Sequence, residues 1–254
     1  MPGSDRPLPR PPPEDSLRAR RLAVLAPLVL ALAAGATVTG TASGVAASCA
    51  SSYSYAGFDN SRNAHGITAV VTPMSEPTVE RGHVAAWIGV GGIGLGPHHQ
   101  TEWLQVGLSA GEGATSSNLY YEVARPHDGA RFTAVLPTVA VGESHKVAVL
   151  ELTRRPSWWR VWVDHEPVTA PIYLPGSHGS WEPQALGESW NDGSRACNAY
   201  AYRFDGLYYA KHPGGSWRKF QKGVCYDDPG YVSTRERGNH FLVAARSLAA
   251  TDSR

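Results

Sequence analysis

Short β-rich segments separated by Gly, Pro, Asn and Asp turn residues follow one another from residue 53 onward. In several of them apolar residues alternate with polar or small ones, which is typical of strands with one buried face. No segment in this region has a 3.6-residue apolar period over three turns. The pattern predicts an all-β fold, a two-sheet antiparallel β-sandwich of jelly-roll or lectin-like type rather than a closed barrel. The predicted strands cover residues 67–71, 83–90, 102–109, 118–124, 131–136, 145–153, 158–164, 168–174, 198–204 and 240–246.

The N-terminal segment has a different composition. Residues 1–21 are rich in proline and arginine, an apolar run follows at 22–36, and small residues lead to Ala47. This order of charged, apolar and small-residue zones is typical of an export signal, and we expect cleavage after Ala47. The sequence therefore predicts a signal segment, residues 1–47, and a single β-sandwich domain, residues 48–254, that is secreted or otherwise extracytoplasmic.

Other interpretations of this segment are open. A membrane anchor is disfavoured because the strongly apolar run has 15 residues, whereas a spanning helix needs about 20. We therefore expect no stable membrane insertion after cleavage. The pair Arg20-Arg21 permits twin-arginine export as well as the general route. Lipidation of Cys49 is disfavoured because no large aliphatic residue stands in the three positions before it.

The charge balance excludes two classes of partner. Residues 1–47 contain five arginines and three acidic residues, so the remainder has 18 basic and 19 acidic residues and is nearly neutral. Without a basic patch there is no electrostatic signature of nucleic acid or of an anionic membrane as partner. The remaining length suits one domain with a proper core, which we expect to act as a monomer.

Three cysteines permit at most one intramolecular disulfide, as in a protein of an oxidising compartment. Cys49 and Cys197 each precede a Tyr-x-Tyr segment, which suggests two similar strand starts lying side by side. We therefore prefer a Cys49–Cys197 bridge to a Cys197–Cys225 bridge. No cysteine or histidine cluster has the close spacing of a zinc site, so no metal or other cofactor is predicted.

The segment 102–109 contains the first candidate site residue. Leu104, Val106 and Leu108 form one face of this predicted strand, while Trp103 and Gln105 belong to the other face. An amide beside an indole is an unusual choice for a solvated surface and a reasonable one for the floor of a groove.

Three neighbouring segments present similar faces. Trp87 opposes the apolar face of 83–90, and Glu122 lies opposite the apolar face of 118–124. In the segment 184–190, Glu188 shares a face with Leu186 and Trp190, where partial desolvation would suit a residue that takes up and releases protons. These residues predict a binding groove on one sheet.

Four segments carry a resemblance to a known family. AAWIGVGG at 85–92, WLQVGL at 103–108, LYYEV at 119–123 and QALGESW at 184–190 resemble, in the same order, stretches of the glutamic peptidases, the eqolisin or G1 family. The 83 positions between Gln105 and Glu188 are close to the separation of that family's catalytic pair. Departures occur at Ser189, where an acidic residue is expected, and at Gly187, where a larger apolar residue is expected.

The resemblance implies a concanavalin A-like sandwich with a catalytic Gln105 and Glu188 on its concave face. It further implies that Trp87, Glu122 and Tyr55 line the cleft, and the strand faces add Trp103 and Trp190 to the substrate-binding set.

The chemistry implied is peptide hydrolysis without a cofactor. Glu188 would take a proton from water, Gln105 would donate its amide hydrogens to the oxyanion, and the substrate would be a peptide or protein. A glycosidase using Glu122 and Glu188 is a weaker alternative. The main alternative is a non-catalytic lectin-like module that binds glycan or peptide on the same face.

Overall fold

The computed structural model of the protein describes residues 49, 51–235 and 239–249. Within these residues the chain forms sixteen strands and one short α-helix. The strands are β1 Tyr53–Asn60, β2 Gly66–Pro73, β3 His83–Gly92, β4 Glu102–Gly111, β5 Ser117–Arg125, β6 Gly129–Val139, β7 His145–Glu151, β8 Trp158–Val163, β9 Glu166–Pro167, β10 Ile172–Tyr173, β11 Gln184–Trp190, β12 Ala201–His212, β13 Gly215–Lys219, β14 Lys222–Asp227, β15 Tyr231–Arg235 and β16 Phe241–Ala245. The helix α1 spans Arg246–Ala249.

Two antiparallel sheets form a sandwich, as the sequence predicted. Among the described residues, one sheet has seven strands in the order β14-β1-β11-β3-β4-β5-β6. The other, of nine strands, has the path β10-β8-β7-β2-β12-β16-β15, with β13 paired to β12 and β9 to β8. Strands β3 to β6 are neighbours both in sequence and in space. In contrast, β11 inserts between β1 and β3, far from both in the chain.

The core lies between the two sheets and follows the alternation in the sequence. The inward residues of β3, which are Val84, Ala86, Ile88 and Val90, are almost fully buried. Aromatic rings connect the two sheets, because Phe58 of β1 packs edge-on against Phe241 of β16, with ring centroids 5.1 Å apart. Full burial of such a side chain contributes about 1.5–3 kcal/mol, so this core is a large part of what stabilises the sandwich.

Some predicted strands differ from the observed ones. The segment 168–174 contains only the two-residue strand β10, because Pro171 has no N–H to donate to a ladder. Near its start, the Thr169 hydroxyl accepts a hydrogen bond from the Val161 N–H at 3.1 Å. Strands β13 to β15 were not predicted, since β13 and β14 are largely exposed and show no apolar alternation.

The predicted disulfide is confirmed, although the reason given for it is wrong. Cys49 and Cys197 form the bridge, with Cα atoms 5.4 Å apart, and Cys225 is a free, exposed cysteine. The two Tyr-x-Tyr segments do not lie side by side in one sheet. Strand β1 pairs with β11 and β14, whereas β12 belongs to the nine-stranded sheet. The disulfide therefore joins segments that lead into different sheets.

The predicted export signal, residues 1–47, lies outside the described residues, so the division of the chain at Ala47 stays a prediction. Within the part of the chain that the structure describes, no helix has the length and apolar character needed to cross a membrane.

Candidate active site

The outer face of the seven-stranded sheet has its own apolar cluster, separate from the core. Ala85 and Trp87 of β3, Tyr120 of β5 and Leu186 of β11 are buried together on this face. Tyr55 and Tyr226 pack against them. The alternation in β3 and β4 predicted this second face, and the two separate clusters confirm it. A fully solvated sheet face would not bury aromatic residues in this way, so this surface is the candidate site.

Strand register arranges the face in rows. In the central row, Leu186 pairs with Trp87, Trp87 with Gly107, and Gly107 with Tyr120. Glu188 lies on one side of this row, opposite Ala85, and also pairs with Tyr55. On the other side Gln105 lies between Gly89 and Glu122. Most of the predicted residues therefore surround one aromatic row.

Gly107 allows β4 to approach β3 closely in the middle of this row. A Cβ atom at Gly107 would overlap the carbonyl oxygen of Ala86 and lie 2.6 Å from the Cα atom of Trp87. Because these are backbone atoms, the strands would have to separate. We expect Gly107→Ala to lower the free energy of unfolding by about 1–3 kcal/mol, the usual cost of overpacking.

Gly111 at the end of β4 provides the matched control. No atom of the described residues lies within 4 Å of a Cβ added there, so Gly111→Ala should change stability by less than about 0.5 kcal/mol. Chemical denaturation of both variants measures the difference. Equal stabilities would contradict the close approach of β3 and β4 at Gly107.

Glu188 is a buried carboxylate held by two donors. Its Oε1 atom lies 2.9 Å from His83 Nε2, and its Oε2 atom accepts a hydrogen bond from Trp87 Nε1 at 3.0 Å. Burial disfavours a charge on His83, but the hydrogen bond to Glu188 and its negative charge raise the pKa of the imidazole above its usual value. Ion pairing between the two groups follows.

His83 was not predicted from the sequence. The signal was present, because His83, Ala85 and Trp87 alternate along β3 and so share a face. Its register partner is Trp190, one of the predicted residues.

Gln105 and Glu122 form the second polar group of the site. Gln105 Nε2 donates to Glu122 Oε2 at 2.9 Å and to the Tyr120 hydroxyl at 3.1 Å. Both amide hydrogens of Gln105 are thus engaged. Burial and the negative charge of Glu188 raise the pKa of Glu122 to about 7, against the opposing effects of His83 and the hydrogen bond from Gln105. Glu122 is therefore protonated at mildly acidic pH.

The two carboxyl groups differ in their environments although they share a face. Glu188 accepts hydrogen bonds on both oxygens, a pattern that suits its ionised form, while Glu122 holds a proton up to about pH 7. The negative charge of Glu188 acts on Glu122, so the two groups are electrostatically coupled. The same face therefore carries one carboxyl with both oxygens hydrogen-bonded and a second whose pKa is raised to about 7.

Gln105 and Glu188 have different hydrogen-bond partners. They lie opposite Gly89 and Ala85 of β3, on either side of the Trp87 row. Within the described residues no hydrogen bond joins them. Gly89 of β3 pairs with Gln105 of β4 on one side and with Gln184 of β11 on the other. The structure thus pairs Gln105 with Glu122, and Glu188 with His83 and Trp87.

Further aromatic residues border the site. Tyr53 stacks on Tyr55 and on Trp190, with ring centroids 6.1 and 6.0 Å apart. At the opposite side, Phe132 stacks on Tyr120 at 4.8 Å. Trp103, two residues before Gln105 on the same strand, lies opposite Ala124 of β5. Of these, Tyr53 and Phe132 were not predicted. Phe132 belongs to β6, a strand whose exposure the sequence pattern does not reveal.

Comparisons with known proteins give a similarity of fold. No protein-family model matches the chain, and no curated protein does either. Among solved structures, a Scytalido-glutamic peptidase with a peptide-based transition-state analogue is similar at 12% identity and a TM-score of 0.50, covering 76% of this chain and 98% of the peptidase. The eqolisin-family peptidase SCP-B, in complex with the tripeptide Ala-Ile-His, is similar at 12% identity, with the same coverage and a TM-score of 0.47.

A carbohydrate-binding module, CBM66 from Bacillus subtilis, is similar at 10% identity and a TM-score of 0.33, covering 61% of this chain and 80% of the module. At 12% identity the likeness to the Scytalido-glutamic peptidase shows the β-sandwich fold alone.

Proposed function

We propose that the protein is a hydrolase of peptide bonds whose acid–base pair is Glu188 and Glu122. The observation that carries the proposal is the coexistence, on one aromatic sheet face, of a doubly hydrogen-bonded carboxylate and a carboxyl with a pKa of about 7. One group is equipped to accept a proton and the other to donate one.

Glu188 acts as the base. Its carboxylate takes a proton from a water molecule, and the water oxygen attacks the carbonyl carbon of the peptide bond. Glu122, in its protonated form, gives its proton to the carbonyl oxygen, which yields a neutral gem-diol. As the C–N bond breaks, the proton on Glu188 passes to the leaving amine and a diol hydroxyl returns its proton to Glu122. Both carboxyls are then restored, and no cofactor takes part.

Gln105 acts on Glu122 in this scheme. Its amide hydrogens bind Glu122 and Tyr120, so they hold the proton donor rather than meeting the oxyanion directly. Tyr120 accepts from Gln105 and keeps its own hydroxyl hydrogen, because burial raises its pKa well above the usual value. That hydrogen supplies a further donor for the carbonyl oxygen while it takes the proton of Glu122.

Two findings support a peptide as substrate. The four segments that resemble glutamic peptidases all lie in strands that build this face, namely β3, β4, β5 and β11. The fold is also similar to that of a glutamic peptidase bound to a peptide-based transition-state analogue. The Cys49–Cys197 disulfide supports an extracytoplasmic site of action, because such bridges persist in oxidising compartments.

The purified protein, expressed from the full chain, should cleave acid-denatured haemoglobin and a fluorogenic peptide library. Because Glu122 must be protonated, we expect kcat/KM to fall about tenfold per pH unit above pH 7. Peptide release measured between pH 3 and pH 9 checks this. Absence of cleavage at every pH, or a rate that still rises between pH 7 and pH 9, would remove the proposal.

A second candidate function is glycan binding without catalysis. The observation in its favour is the stack of Tyr55, Tyr53 and Trp190 beside Glu188, since aromatic faces combined with polar groups also suit sugars. A glycan microarray probed with the same preparation separates the two functions. Saturable glycan binding in a protein that cleaves no peptide would favour this candidate.

A further inference from the structure

A cluster of three potential metal ligands lies at β2 and β7, outside the candidate active site. His65 immediately precedes β2, Glu151 ends β7, and His178 belongs to the segment between β10 and β11. His65 Nδ1 lies 2.6 Å from Glu151 Oε2, and His178 Nδ1 lies 2.8 Å from Glu151 Oε1. One ligand atom from each residue lies within 4.8 Å of the others.

The surrounding structure fixes these side chains. Glu151 is fully buried, and its Oε1 also accepts a hydrogen bond from the Ser157 N–H at 2.6 Å. The Glu151 N–H in turn binds the His65 carbonyl at 2.8 Å. Next to His178, the Ser177 hydroxyl accepts from Trp159 Nε1 at 2.7 Å and donates to the Leu174 carbonyl at 2.6 Å. A buried carboxylate with two imidazoles is thus held in place by neighbouring backbone and side-chain contacts.

Access to the cluster comes through His178, whose side chain is 49% exposed, whereas that of His65 is 17% exposed. The cluster therefore combines a buried anionic ligand with an open side. A buried carboxylate is costly unless it is paired with a positive charge or a metal.

We propose that His65, Glu151 and His178 bind a zinc ion. Two imidazole nitrogens and one carboxylate oxygen form a ligand set that Zn²⁺ uses when water completes a tetrahedral site. The ion would sit beside His178 and connect the segment between β10 and β11 to β2 and β7. This site is independent of the proposed hydrolase, since none of its residues belongs to the face that carries Glu188.

Binding requires a small opening of the cluster. Ligands about 2.1 Å from a tetrahedral ion lie roughly 3.4 Å apart, slightly more than the present nitrogen–oxygen distances of 2.6 and 2.8 Å. Each neutral imidazole binds through Nδ1 as the tautomer protonated at Nε2, and an imidazolium releases one proton.

A second histidine cluster, around His145, lacks the convergent ligand atoms that a metal site needs. His145 contacts Asp164 through Nδ1 at 2.7 Å and Glu143 through Nε2 at 3.2 Å. These carboxylates lie at opposite ring nitrogens, so the three residues cannot converge on one ion through a single nitrogen. His145 is therefore a suitable control position.

The sequence offered no indication of this site. The residues are 86 and 27 positions apart, far from the close spacing of short zinc motifs, and only the pairing of β2 with β7 brings His65 and Glu151 together.

Titration of EDTA-treated, dialysed full chain with Zn²⁺ at pH 7.5, in competition with a chromogenic chelator, tests the proposal. We expect one equivalent to bind. His178→Ala and His65→Ala should each weaken binding more than the 10–100-fold typical of losing an outer-shell partner, while His145→Ala should leave it unchanged. Zn²⁺ should also raise the melting temperature of the unaltered protein and of His145→Ala, but not that of His178→Ala.

Absence of one-to-one binding in the unaltered protein would overturn the proposal, and so would equal affinities in the unaltered protein and the folded His178→Ala variant. In either case the cluster is a hydrogen-bonded support for Glu151 alone. Because His178 is half exposed, its replacement is the variant expected to fold without loss, and circular dichroism verifies this before titration.

Discussion

Replacing Glu188 with glutamine should reduce kcat/KM for peptide cleavage by about 10²–10⁴-fold, the usual contribution of a general base. Glutamine cannot accept a proton from water at any pH in the working range. Its amide also offers a single acceptor oxygen where Glu188 accepts from both His83 and Trp87. The loss should therefore appear mainly in kcat and should not be rescued by changing the pH.

One control variant and one further variant accompany this prediction. Glu166→Gln changes an exposed carboxylate in β9 and should leave the rate unchanged. Gln105→Met keeps the side-chain volume but removes the hydrogen bond that lowers the pKa of Glu122, so the alkaline limb of the pH profile should move to higher pH. A Glu188→Gln variant that folds normally and retains full activity would disprove the assigned base.

Removal of the Cys49–Cys197 disulfide should lower the free energy of unfolding by about 2–5 kcal/mol. The bridge joins residues 148 positions apart, so its loss increases the conformational entropy of a large part of the unfolded chain. For a domain of this size each 1 kcal/mol corresponds to about 2–4 °C in the melting temperature. Cys197→Ala should therefore melt roughly 5–15 °C lower than the unaltered protein.

Cys225→Ala is the matched control, since Cys225 is free and exposed, and its stability should change by less than about 0.5 kcal/mol. Thiol titration of the denatured, unreduced protein should find one reactive cysteine. Three reactive thiols, or equal melting temperatures for the two variants, would contradict the predicted effect.

The sequence predicted the sandwich and the strands with clear alternation. In β3 and β4 every second residue is apolar, and these residues are the ones that the structure buries in the core. Periodicity alone was sufficient because one face of each strand must be apolar. Strands β13 and β14 were missed for the same reason, since their largely exposed residues carry no such constraint.

The site could be predicted only in part. The alternation placed Gln105, Trp87 and Glu188 on the outer face, but it carries no information about register between strands. Register is set by long-range pairing, and it brings Gln105 to Glu122 and His83 to Glu188. For this reason the role that we propose for Gln105, holding Glu122, differs from the direct oxyanion donor that the resemblance implied.

The insertion of β11 between β1 and β3 also determines when the site becomes complete. Gln105 and Glu122 are brought together within the local meander of β3, β4 and β5, which can pair soon after it is synthesised. Glu188 follows more than sixty residues later, and its strand β11 must insert between β1 and β3, which are already synthesised. Long-range pairing of this kind is slow. A nascent chain would thus carry the proposed proton donor, Glu122, well before the proposed base, Glu188, and we expect activity only once β11 is in place.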